Sequence, residues 1–279
     1  MKFLIIQENG RHTENRHFRE CFCLQRSLIK LGYVCDVWGL GHDNFAAIPS
    51  FNTYDVTIDL ENYDTGWVPD LSFVSSYKVI WSIDAHCQGI DYYINKFVNN
   101  KCQLILQATK DYLNKNSVWF PNCFDNGLIY PKPSIKRADV GFCGNICNRK
   151  AYFDFLKLNF NFVTDFFVIG DEMVNAINSY KIHFNKNLSN DINYRNFETI
   201  GCGIPLVTSY NYQYEELGFK DKANCCFYNN TNELLDIIES LLSDNRLLNQ
   251  IANNGYELSK KHNYDIRAGQ LIEILEKRI

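Results

Sequence analysis

Apolar positions recur along this chain in two rhythms that take turns. Residues 2–7 form a short apolar run that reads as a buried strand. A polar loop from Asn9 to Asn15 follows. Residues 16–30 then place Phe18, Cys21 and Leu28 on one helical face, with Gly32 positioned to end the helix. Strands are predicted over 33–38, 55–60 and 77–83, a helix over 91–99 and a strand over 102–107. A short helix over 110–114 and a short strand over 118–120 complete this half. Pro121, Pro131, Pro133 and Gly127 break the rhythm, so residues 123–137 read as a linker between domains 1–122 and 138–279. The rhythm restarts with a strand over 138–143, a loop over 144–149, a helix over 150–158 and a strand over 166–169. A helix over 172–179, a strand over 181–184, a helix over 194–202 closed by Gly203 and a strand over 204–208 follow. Residues 231–242 are strongly amphipathic, and helices over 245–261 and 265–278 end the pattern, the last expected to pack back on the first domain.

Strands that alternate with helices predict parallel sheets covered on both faces, an α/β chain of two Rossmann-like domains facing each other across a cleft. Ligands of such sheets sit beyond the C-terminal ends of the strands. That directs attention to the loops at 9–15, 84–88, 144–149, 181–195 and 208–212.

The remaining composition narrows the class. An apolar share of 46% supplies a core, so disorder is excluded. A formal charge of −4 argues against a protein that grips nucleic acid mainly through phosphates. It leaves room for an enzyme that touches DNA through a local basic groove. No apolar stretch reaches the length of a membrane span, and the first apolar run is too short for a signal peptide. The 11 cysteines contain no CxxC pair and read as reduced, mostly buried thiols, with no metal site expected.

The most informative segment is Tyr194-Arg195-Asn196-Phe197-Glu198-Thr199-Ile200-Gly201-Cys202-Gly203-Ile204-Pro205-Leu206-Val207-Thr208. Arg195 and Glu198 are three apart and share a helix face. The charge of Arg195 is unfavourable in a first helical turn, which suggests a ligand or a partner carboxylate. Glu198 can accept two hydroxyl hydrogen bonds, as from a ribose diol, or simply pair with Arg195.

This segment resembles the donor-site motif of the CgeB-like glycosyltransferases. So do Trp81-Ser82-Ile83-Asp84-Ala85-His86, Val118-Trp119-Phe120-Pro121, Asp139 to Asn145 with Arg149, Asn178-Ser179-Tyr180-Lys181-Ile182, and Gly255 with His262 to Arg267. The likeness runs in order from residue 81 to 267. It implies a glycosyltransferase B (GT-B) fold and transfer of a sugar from a nucleoside diphosphate, UDP favoured, to a hydroxyl. It also implies that basic side chains and helix N-termini, not a metal or other cofactor, hold the diphosphate. On that resemblance the donor site comprises Gly10, Gly144, Asn145, Arg149, Lys181, Arg195, Glu198 and Thr208. Where many such enzymes carry a second Glu eight residues before Glu198, this chain has Asn190, which leaves the sugar-hydroxyl contact unassigned.

A general base should come from the N-terminal half. Asp84 and His86 stand two apart at a strand end, and His12 and Glu14 lie in the first loop, where Arg16 and Arg19 are placed to meet an anionic acceptor. Asp84 as a helix cap and a merely solvated charged loop are the plainer readings. The expected acceptor is a hydroxymethylated base in phage DNA, with a protein or glycan acceptor, or a non-catalytic binding protein, as the alternatives. A cytoplasmic location, in a bacterium or an infected host, accompanies this reading.

Overall fold

The computed structural model describes residues 1–9, 12–62 and 66–279. The chain divides into two compact units, residues 1–121 with 264–279, and residues 122–263.

The first unit is built on six parallel strands: β1 (Lys2–Ile6), β2 (Val34–Trp38), β3 (Val56–Leu60), β4 (Tyr77–Ser82), β5 (Leu104–Gln107) and β6 (Ser117–Trp119). Their spatial order is β2-β1-β3-β4-β5-β6. The central strands are apolar on both faces, as burial between helices requires. Phe3 to Ile6, Val56, Ile58 and Val79 to Trp81 are almost fully buried. The helices are α1 (Glu20–Lys30), α2 (Ala85–Gln88), α3 (Ile90–Asn99) and, returning from the far end of the chain, α9 (Tyr264–Glu276). The Ser27 hydroxyl of α1 donates to Asp265 of α9 at 2.9 Å. Buried Arg267 donates from Nε to the Pro121 carbonyl at 2.8 Å.

The second unit has five parallel strands: β7 (Ala138–Cys143), β8 (Phe162–Asp165), β9 (Tyr180–Asn185), β10 (Leu206–Ser209) and β11 (Cys226–Tyr228). Their order is β11-β10-β9-β7-β8. Helices α4 (Lys150–Asn159), α5 (Gly170–Asn178), α6 (Tyr194–Gly201), α7 (Thr231–Ser243) and α8 (Asn245–Ser259) cover it. Val140, Phe142, Ile182, Phe184 and Val207 from the sheet meet Leu234, Ile238 and Leu241 of α7 in one core.

Several boundaries differ from expectation. The helix expected from residue 16 is a 3-10 turn over Thr13–Phe18 and then α1, because Arg19 adopts an extended ψ of 144° between them. The strand expected over 166–169 lies four residues earlier as β8, paired with β7 from Val140↔Phe162 to Cys143↔Asp165. The run Phe166 to Ile169 cannot extend it, because Phe167 turns to a φ of 58°. The three-residue strand β11 was not expected. Residues 122–137 belong with the second unit instead of standing apart: Asn122 donates to the Ile192 carbonyl at 3.2 Å and Lys132 N–H to Asn178 at 2.8 Å. All eleven cysteines are free thiols, and only Cys87 and Cys147 are exposed. Among the described residues no helix is long and apolar enough to cross a membrane.

Candidate active site

Helix α6 starts beyond the C-terminal end of β9. Asn193 caps it, its side chain accepting the Arg195 N–H at 3.1 Å. The cap and an apolar face carrying Phe197 and Ile200 fix the helix against the sheet, so Arg195 and Glu198 face away from that core. Their side chains are 22% and 13% exposed and pair at 2.5 Å. The guanidinium also touches the Met173 sulfur of α5. Gly203, at φ 66°, closes the helix in the left-handed conformation that frees the chain to turn into β10.

Beneath α6 lies fully buried His183 of β9. The Cys143 N–H donates to its Nε2 at 3.2 Å, so the ring proton sits on Nδ1 and is donated to Thr199 Oγ1 at 2.6 Å. That hydroxyl in turn donates to the Arg195 carbonyl. The imidazole lies parallel to the rings of Phe142 and Tyr180, at interplanar angles of 9° and 4°. Burial first, and the Arg195 charge second, hold the His183 pKa well below the usual imidazole range. It is a neutral spacer between the end of β7 and α6. Thr208, a predicted donor contact, is instead buried in an amide network: Asn185 Nδ2 donates to Thr208 Oγ1 at 3.2 Å and to Asn196 Oδ1 at 3.0 Å.

The loop after β7 supplies the second wall. Gly144, at φ 148°, adopts a conformation few side chains tolerate, and a Cβ there would come to 4.0 Å from Arg195 Nε. Its N–H donates to the Asp165 carbonyl at 3.1 Å, which ties the loop to the end of β8. Asn145 is exposed, and its carbonyl accepts from Arg149 Nη1 at 3.0 Å. Arg149 Nε donates to the Lys186 carbonyl at 2.9 Å, and its guanidinium lies 5.3 Å from the Phe142 ring centre. Arg149 is 5% exposed. Its pKa is lowered by burial, with the Arg195 charge also acting downward, and that of Lys186 is lowered by burial and by Arg149. Arg149 therefore stands between Arg195 and Lys186 electrostatically, at the C-terminal ends of β7 and β9.

Lys181 is not brought into this group. It occupies the second position of β9, near the opposite strand end, and its amine pairs with Asp139 at 2.7 Å. Lys186 follows β9 directly, at its C-terminal end. Asn190 is exposed, and its carbonyl accepts from Asn211 and Gln213, each at 2.6 Å. Gly10 lies outside the described residues, as does Arg11.

In the first unit, Asp84 is the residue before α2 and makes no side-chain cap there, although its carbonyl accepts the Cys87 N–H at 2.8 Å. Its own N–H and that of Ile83 donate to one oxygen of Glu61, at 2.8 and 3.1 Å, and the Tyr93 hydroxyl donates to the same oxygen. Glu61 stands just past β3, and sequence reasoning passed over it because nothing local marks it. It fixes the strand end that carries Asp84 and His86. His86 Nδ1 is buried with no hydrogen-bond partner among the described residues, and burial lowers the pKa of the ring against the opposing pull of Glu61. His12 and Glu14 are exposed at the start of the 3-10 turn after β1, a different strand end from that of Asp84 and His86. Arg16 pairs with Asp43 at 3.3 Å, and Arg19 is buried beside Glu20 at 3.7 Å.

Comparison with known proteins agrees with this architecture. No curated protein sequence matches the chain. An alpha-glucosyltransferase solved in complex with UDP is 10% identical and superposes with a TM-score of 0.72, covering 99% of this chain and 100% of that one. An alpha-glucosyltransferase with UDP and a 13-mer DNA containing an HMU base is 11% identical, with a TM-score of 0.69 and 99% of each chain covered. HepE from Anabaena, in complex with UDP and glucose, is 13% identical with a TM-score of 0.65, over 99% of this chain and 100% of that one. At such identities the likeness is one of fold, the GT-B arrangement of two Rossmann-like domains. The sequence profile of the glycosyl transferase-like family matches residues 134–273, half of the chain and the part that carries Gly144, Arg149, Arg195 and Glu198. The chain is a member of the glycosyl transferase-like family.

Proposed function

We propose that this protein transfers a sugar from a UDP-sugar to a hydroxyl acceptor, as a CgeB-like glycosyltransferase. The observation that carries the reading is the group formed by Arg149, Lys186, Arg195 and Glu198. Three cations against one carboxylate leave a net charge of two positives, which balances the roughly two negative charges of a diphosphate. Glu198 offers the remaining acceptor to the ribose hydroxyls. In the transfer, the acceptor oxygen bonds to the anomeric carbon and the bond from that carbon to the β-phosphate oxygen breaks. UDP leaves with the bonding electrons. The acceptor proton passes to a general base, for which Asp84, His86, His12 and Glu14 are the candidates. Charge neutralisation by side chains makes a metal unnecessary on this reading, and activity should survive EDTA.

The acceptor we favour is a hydroxymethylated base in DNA. What supports it is the likeness, over 99% of each chain, to an alpha-glucosyltransferase solved with DNA containing an HMU base. The enzyme would then work in the cytoplasm of a phage-infected bacterium, where nucleotide sugars and replicating DNA are both present. The test is incubation with radiolabelled UDP-glucose and duplex DNA, with and without hydroxymethylated pyrimidines, beside a protein and a glycan acceptor. Label on modified DNA alone is the expected result. Label on protein or glycan moves the acceptor, and no label together with intact UDP-glucose removes the transferase reading. Glu198→Ala should weaken UDP binding at least tenfold, and unchanged affinity would remove the donor-site assignment.

A further inference from the structure

We infer that Phe167 is an aromatic shelf on which the base of the donor nucleotide stacks. The inference rests on the donor-site reading above and extends it to a residue that no motif marks. Phe167 follows β8 by two residues and is 86% exposed. Its φ of 58° lies in the left-handed region, where glycine and asparagine are at ease and a bulky aromatic is a rare outlier. The turn itself needs only the backbone conformation, which Gly or Asn would supply more cheaply. Among the described residues no ring packs against Phe167, and its side chain stands almost fully in solvent. Strain held at an exposed position points to a use outside the fold.

Its surroundings say what that use is. The neighbouring Phe166 is anchored against Phe153 of the core, with ring centres 6.0 Å apart, so the turn is held from below. The segment is tied at its start to the Gly144 loop and, six residues after Phe167, to Arg195. Asp165 accepts the Gly144 N–H at 3.1 Å, and Met173 touches the Arg195 guanidinium. A diphosphate held at Arg149 and Arg195 is thus linked, through the Gly144–Asp165 hydrogen bond and the Arg195–Met173 contact, to a turn that carries a bare aromatic face. The part of a nucleotide that meets such a face is the base, through stacking that tolerates any base. Identity of the base is then read elsewhere, and Phe167 supplies affinity.

The experiment compares the wild-type chain with Phe167→Gly and Phe167→Trp in calorimetric titrations of UDP and of inorganic pyrophosphate, with thermal unfolding in parallel. Phe167→Gly should weaken UDP by about tenfold or more, leave pyrophosphate unchanged, and raise the unfolding temperature by relieving the backbone. Phe167→Trp should keep UDP affinity. Equal weakening of UDP and pyrophosphate, or unchanged UDP affinity in Phe167→Gly, overturns the shelf and leaves the donor site standing. A wild-type chain that binds pyrophosphate but gains nothing from the nucleoside also overturns it. A wild-type chain that binds neither ligand removes the shelf and the donor site together.

Discussion

Replacing His183 with Leu tests how the end of β7 and helix α6 are held together. The side chain is fully buried and makes two hydrogen bonds, accepting from Cys143 N–H and donating to Thr199. Leucine fills much of the same volume but makes neither. The Cys143 N–H is left as a buried unsatisfied donor, at about 1–3 kcal/mol, and the lost bond to Thr199 adds about 0.5–1.5 kcal/mol. The apolar replacement returns part of this, so about 1–4 kcal/mol is the expected loss, or roughly 2–15 °C in unfolding temperature for a chain of this length. The variant should also change the pH dependence. His183 stays neutral in the folded state well below the usual imidazole range but charges near pH 6.5 when unfolded. Between the two values the unfolded state binds a proton that the folded state does not. The wild type therefore loses stability as pH falls below about 6.5, by up to about 1.4 kcal/mol per pH unit from this group. Above that pH the group contributes nothing. His42 and His86 are lowered too and add to the wild-type slope in the same direction, so the variant keeps their part and loses one proton's worth. Urea melts of both proteins from pH 5 to 8 read the two effects together. A variant as stable as wild type, with the same pH slope, would refute the spacer role.

Arg149→Lys should destabilise the second unit by about 1.5–3 kcal/mol, because an ammonium cannot reach both the Lys186 and Asn145 carbonyls, and UDP affinity should fall with it; urea melts and titrations check both. Lys181→Ala should leave UDP affinity within twofold of wild type, since its amine is engaged by Asp139 near the other strand end; a tenfold loss on titration would return it to the donor site. Gly203→Ala forces a side chain into φ 66° and brings its Cβ to 3.3 Å from Pro131, which should cost at least about 1 kcal/mol and lower the unfolding temperature by about 2–4 °C.

What could be read in the sequence was mostly what is local. The strands announced themselves as apolar runs, and α6 by its cap, its amphipathic face and Gly203. Spacing places Arg195 and Glu198 on one face of α6 and Gly144 and Arg149 in the loop after β7; their roles as donor contacts came from the family resemblance. The failures share a cause. Phe166 to Ile169 satisfies the pattern of a buried strand, and only the backbone at Phe167 contradicts it. Lys181 was expected at the donor site by resemblance, and only the strand direction shows it near the end of β9 opposite Lys186. Thr208 was expected to meet the donor by resemblance, yet its hydroxyl is hydrogen-bonded by Asn185 and Tyr214 inside a buried network. Glu61 and His183 act across distances of 22 and 40 residues in sequence, on Ile83 and Cys143, and no local pattern encodes such a contact.

The return of α9 to the first unit bears on how the protein is made. The second unit is contained within residues 122–263, so every part of it has been synthesised before α9 begins. The first unit starts earlier and finishes later. Until residues 264–276 arrive, Ser27 lacks its Asp265 partner, the Pro121 carbonyl lacks Arg267, and the ring of Trp81 lacks Tyr264. On the ribosome the half that begins second can therefore close first. The half that begins first has to wait, with the helix-covering side of α1 open to solvent and to chaperones, while the whole of its neighbour is translated.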